Sequence, residues 1–171
     1  MSERSQTVEA LMTAIQMEID GKKFYQASAQ ASLNNLGQKL FQQLATEEDL
    51  HRQKFESIFK AIQARKPWPQ VDIKLDGGKH LQNLFSSATK NVKSSASELE
   101  AVQAAMTMEN KTRDFYHGRG KIAAFEAEKD YYLALEQQES DHHAALLDYY
   151  EYMKDPAGWF NVKERHSLDG G

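Results

Sequence analysis

Apolar residues return every three or four positions along most of the chain, the period of a helix with one buried face. Between Thr7 and Ser32 the recurring residues are Val8, Leu11, Met12, Ile15, Ile19 and Tyr25, which predict a first long helix. Asn34-Asn35 with Gly37 predicts a short turn, since asparagine and glycine tolerate left-handed backbone. A second helix is expected from Gln38 to Ala64, with a stripe of Leu44, Glu48, His51, Phe55, Ile58 and Ile62. That stripe includes a carboxylate and an imidazole, whereas Glu47, Asp49 and Arg52 lie off it.

Lys66-Pro67-Trp68-Pro69 ends the second helix, and an irregular stretch runs to Gly77-Gly78. Leu81, Leu84, Phe85, Ala88 and Val92 suggest a short amphipathic helix inside a long crossover spanning 66–95. Ser97-Glu98-Leu99-Glu100 has capping-box spacing and is expected to open a third long helix. A fourth carries Leu135, Glu139, His142, Leu146, Tyr149 and Met153, and Asp155-Pro156 stops it. The expected organisation is one all-α domain over 1–154 and a tail over 155–171. In the tail, Trp159 and Phe160 would cover a bundle end or a neighbouring subunit.

The two halves repeat. AIQMEIDGKKFY at 14–25 aligns with AMTMENKTRDFY at 105–116, an offset of 91 residues. The same offset carries Glu48 to Glu139 and His51 to His142, and each is preceded by a glutamate 30 residues before its own, Glu18 and Glu109. Residues equidistant from the turn of an antiparallel helix pair share one level. The midpoints, residue 33 and residue 124, therefore place the second turn near Ala123–Glu126, with the third helix continuing past Gly118 and Gly120. The predicted architecture is an antiparallel four-helix bundle built from two repeated helix pairs.

Composition narrows the chemistry. The chain has 171 residues, a net charge of −4 and no cysteine. It offers no basic footprint for nucleic acid, and no disulfide, thiolate metal site or cysteine nucleophile. It has no apolar run of about 18 residues to span a membrane. MSERSQTVEALM lacks the apolar centre of a secretory signal, so the cytoplasm is the expected location. A single Glu-x-x-His on a soluble helix is ordinary surface decoration. Two copies on apolar stripes, each with an inward glutamate at equal separation, point instead to a site for two divalent metals. Hard carboxylates and borderline imidazoles suit iron or manganese, and affinity alone does not exclude zinc.

With these motifs the chain resembles the rubrerythrin-type branch of the ferritin-like family, through nearly all of its length to Met153. The resemblance implies a non-haem di-iron bundle that reduces hydrogen peroxide or reacts with dioxygen. Its motif positions assign Glu18, Glu48, His51, Glu109, Glu139 and His142 as ligands of two iron ions. Two departures stand out. Rubrerythrins usually carry a cysteine-bound iron domain, absent here, so electrons would come from an external donor. Many also have a further glutamate three residues after the third-helix ligand, where this chain has Thr112. That leaves the symmetric six-residue set shared with bacterioferritin, and iron oxidation and storage as an alternative function.

Around this set, Glu47 and Gln138 each precede a ligand glutamate. Each would either hydrogen-bond the imidazole of the opposite half or face solvent. Tyr25 and Tyr116 follow Glu18 and Glu109 by two helical turns, to shield the site, deliver a proton or electron, or simply pack. His143 and His166 read as ordinary polar residues. The expected partners are peroxide or dioxygen, the electron donor and a second copy of the chain in a dimer, with neither nucleic acid nor membrane.

Overall fold

The computed structural model describes residues 2–169. Among them are six α-helices, one 3-10 turn and no strand: α1 (Glu3–Ala31), α2 (Asn35–Gln63), α3 (Lys79–Gln82) running into the 3-10 turn Asn83–Ser87, α4 (Ala96–Lys121), α5 (Glu126–Lys154) and α6 (Pro156–Asp169). α1 pairs with α2 and α4 with α5 as two antiparallel hairpins, giving the antiparallel four-helix bundle that the repeat predicts. No helix of the described residues is long and apolar enough to cross a membrane.

Both hairpins turn where the repeat places them, but the first closes differently from expectation. Asn34 is extended and caps α2, its side-chain oxygen accepting from Gly37 N at 2.8 Å. Among the described residues positive φ is confined to Arg65, Gly77 and Gly78, so no left-handed residue is needed in that turn. Gly37 is required for space instead. A Cβ there would collide with Tyr149 Oη, Ser32 Oγ and Glu98 Oε1, a buried polar knot that ties the two hairpins together. Gly118 and Gly120 stay inside α4, and a Cβ at Gly118 would meet nothing.

Two further expectations are corrected, and one element is added. The cap of α4 is Ser95, whose hydroxyl accepts from Glu98 N at 3.2 Å, and not Ser97. Glu98 does not close a reciprocal box, because its carboxylate is taken by Ser32 and by Tyr149. The crossover helix is only one turn long. The chain leaves the 3-10 turn through extended Ala88, so Val92 belongs to an irregular segment that packs on the bundle. The tail is helical: Asp155 accepts from Gly158 N at 3.0 Å and Pro156 supplies the preset first residue of α6. Trp159 then covers the bundle end, its ring 5.2 Å from Tyr152 and 5.7 Å from Phe85.

The buried faces of α1 and α4 are narrower than the apolar pattern suggests. Leu11, Ala14, Glu18, Gly21 and Tyr25 are buried, and so are their repeat partners Val102, Ala105, Glu109, Thr112 and Tyr116. Met12, placed on the predicted stripe, is exposed. Small residues here let the helices approach closely around the glutamates. The apolar core is consequently in two parts. One holds Tyr25, Phe41, Leu44 and Tyr149, the other Leu11, Phe55, Tyr116 and Leu135. The glutamates and histidines of the motif fill the layer between them.

Alanine should therefore act oppositely at two helical glycines. Gly118→Ala is expected to stabilise the chain by about 0.5–1 kcal/mol through lost backbone freedom in the unfolded state. Gly37→Ala should destabilise it by about 1–3 kcal/mol through overpacking. Denaturant unfolding checks both.

Candidate metal centre

Each of the four long helices delivers part of the layer. α1 brings Glu18, α2 Glu48 and His51, α4 Glu109, and α5 Glu139 and His142. The i, i+3 spacing on α2 and α5 puts both side chains of each pair on one face. All six are almost fully buried. They form two overlapping groups, Glu18–Glu48–His51–Glu139 and Glu48–Glu109–Glu139–His142, in each of which the donor atoms lie within 4.8 Å of one another. Glu48 and Glu139 belong to both. His51 Nδ1 is 3.3 Å from Glu18 Oε2 and 3.4 Å from Glu139 Oε1. His142 Nδ1 is 3.2 Å from Glu48 Oε1 and 3.5 Å from Glu109 Oε1. Donors about 2.1 Å from a shared cation lie roughly 3.0–3.4 Å apart, so the groups have the span of coordination shells.

Hydrogen bonding sharpens the fit. One buried atom from every member lacks a partner: Glu18 Oε2, Glu48 Oε1, His51 Nδ1, Glu109 Oε2, Glu139 Oε1 and His142 Nδ1. Buried polar atoms are rarely left so, and these six converge on one space with the donor types able to hold a cation. Four of the six residues, Glu18, Glu109, His51 and His142, are held from outside through their other polar atom. Tyr25 donates to Glu109 Oε1 and Tyr116 to Glu18 Oε1, each phenol reaching across to the other half of the repeat.

The imidazoles are oriented by the two residues flanking the motif. Gln138 Nε2 donates to the Lys74 carbonyl at 3.2 Å, which turns Gln138 Oε1 toward His51 Nε2 at 2.6 Å. An amide oxygen can only accept, so the neutral His51 ring carries its proton on Nε2 and presents the lone pair of Nδ1 inward. Glu47 Oε2 does the same for His142 Nε2 at 2.7 Å. Glu47 is buried although it lies off the apolar stripe, because the crossover covers it. His80 Nε2 lies 2.6 Å from Glu47 Oε1, and Asp76 Oδ2 lies 2.7 Å from His80 Nδ1.

The electrostatics follow from crowding. Burial, and then the charges of Glu18, Glu139 and Glu109, raise Glu48 well above the usual carboxylate range. Burial and the Glu109 charge do the same to Glu139. Burial, the largest single effect, opposes ionisation of Glu47 too, but its hydrogen bonds to His142 and Gln43 and the charges of His142 and His80 together outweigh it and lower Glu47 to about 2.

Sequence reasoning passed over Lys74, Asp76 and His80, which lie in the unrepeated crossover where no periodicity marks them. Gly21 was also missed. A Cβ there would come 2.8 Å from Glu48 Oε2, so the glycine makes room for the carboxylate. Its signal was present in the repeat, for Gly21 and Thr112 occupy matching positions three residues after Glu18 and Glu109. His143 and His166 take no part in the cluster.

In a comparison with known families, the family model described as Rubrerythrin matches residues 9–150. No curated protein and no solved structure matches the chain.

The raised carboxylates predict a pH signature for the metal-free protein. A group raised in the folded state stabilises it below the ordinary carboxylate pKa, about 4.3, and that contribution is lost as pH rises through the folded value. Glu48→Gln should match the natural chain near pH 4. It should exceed it by about 1–3 kcal/mol at pH 8, where an unpaired buried charge is replaced by an amide. The lowered Glu47 is common to both chains and cancels. Denaturant unfolding of the two metal-free proteins at both pH values checks the sign.

Proposed function

We propose that this chain, which belongs to the rubrerythrin family, is a non-haem di-iron oxidoreductase that reduces hydrogen peroxide, or reacts with dioxygen, using electrons from a separate donor. The observation that carries this reading is the set of six buried, unpartnered donor atoms, one from each of Glu18, Glu48, His51, Glu109, Glu139 and His142. On this reading Glu18 and His51 belong to one metal position, Glu109 and His142 to the other, and Glu48 and Glu139 serve both. When bound, two ferrous ions supply Lewis acidity and one electron each for cleavage of an O–O bond.

The protein's own residues do the rest. Tyr25 and Tyr116 fix one oxygen of each outer carboxylate, leaving the other oxygen turned inward. Burial, and then the facing Glu109 and Glu18 charges, raise both phenols well above their ordinary value, so each keeps a proton at Oη beside the cluster. A proton held there is available to an oxygen atom that gains negative charge nearby. The aromatic layers containing Phe41, stacked on Tyr25, and Phe55, tilted against Tyr116, keep bulk water from the site. Three residues after Glu109 stands Thr112, which has no carboxylate to add and whose hydroxyl donates to the Met108 carbonyl at 3.1 Å.

Anaerobic iron loading followed by one equivalent of peroxide tests the function. Stopped-flow absorbance should show rapid oxidation of the bound iron, and failure of stoichiometric peroxide to oxidise it contradicts the proposal. Tyr116→Phe frees Glu18 Oε1 and removes one phenolic proton. It should slow that step about 10- to 100-fold while retaining two iron ions per chain.

A further inference from the structure

The six inward residues are identical across the repeat, but the residues behind the imidazoles are not. Glu47 and Gln138 stand at matching positions 91 residues apart. Behind His142 is a carboxylate, at 2.7 Å; behind His51 is a neutral amide, at 2.6 Å. Both accept the Nε2 proton, yet a carboxylate draws it more strongly and leaves more electron density on the opposite nitrogen. We infer that the two metal positions are inequivalent, and that a divalent cation fills the position beside His142 before the one beside His51. This rests on the metal-binding reading above.

The surroundings keep this difference in place. Glu47 Oε1 is held by Gln43 Nε2 at 2.9 Å and by His80 at 2.6 Å, which leaves Oε2 for His142 alone. With Asp76 on the far side of His80, the group Asp76–His80–Glu47 carries net negative charge whether or not His80 is protonated. A cation on the His142 side therefore gains Coulomb attraction as well as a stronger nitrogen donor. On the other side Gln138 is anchored to the Lys74 carbonyl, an uncharged partner. Both contacts come from the crossover between Lys74 and His80. A segment without a repeat partner is thus what holds the two halves different.

Imidazole nitrogen NMR on the metal-free protein, titrated with zinc alone, reads the order directly. Zinc is not redox-active, so the result is independent of whether peroxide is the substrate. Up to one equivalent, His142 Nδ1 should shift with at least about a 10-fold preference over His51 Nδ1, which should respond only in the second equivalent. Exchanging the two residues, Glu47→Gln with Gln138→Glu, preserves composition and net charge and should reverse the order. Parallel shifts of both imidazoles in the natural chain overturn the inference even if the exchanged variant does not fold. So does an order that the exchange leaves unchanged. If neither imidazole responds to excess zinc, the metal reading falls and this inference with it.

Discussion

Four glutamate carboxylates share one buried level of this bundle with only two imidazoles beside them, and most of the structure answers to that repulsion. Ionised carboxylates without partners cost several kcal/mol each to bury, far more than a helical core can absorb casually. Glu48 and Glu139 respond by holding protons well above the ordinary range. Glu18 and Glu109 each take one hydrogen bond from a tyrosine of the opposite half. What these devices leave over is an unpartnered donor atom on each of the six residues. The same crowding that strains the metal-free chain leaves the layer able to hold divalent cations.

Everything around the layer serves its geometry. The apolar core splits into two bodies above and below it, so packing energy is gathered at the ends of the bundle while the middle stays polar. Gly21 leaves room where Glu48 must lie. Glu47 and Gln138 fix the imidazole tautomers, and the crossover fixes Glu47 and Gln138 in turn through His80 and the Lys74 carbonyl. A segment that reads in sequence as a mere connection is the outer wall of the site.

How much of this was legible depended on whether the sequence repeats and whether the buried face is apolar. α2 and α5 have large apolar residues at regular steps with Glu-x-x-His among them, and their faces were read correctly. The 91-residue offset fixed the level of Glu18 and Glu109 and carried α4 past two glycines. α1 was misjudged in detail because its buried face is built from Ala14, Gly21 and a carboxylate, while the larger Met12 faces solvent. His80 and Asp76 were not legible, since their roles arise only when the crossover folds back on α2. The helix at Pro156 was missed because an Asp-Pro pair can end one helix and start the next, and the sequence alone favoured the ending.

The central claim is that the buried layer binds two metal ions between the four long helices. Anomalous diffraction from crystals of the iron-loaded protein, recorded at the iron edge, tests it most directly. Two peaks should appear within the layer, one between Glu18 and His51 and one between Glu109 and His142, with Glu48 and Glu139 contacting both. No peak in that layer, or iron confined to the protein surface, would contradict the account.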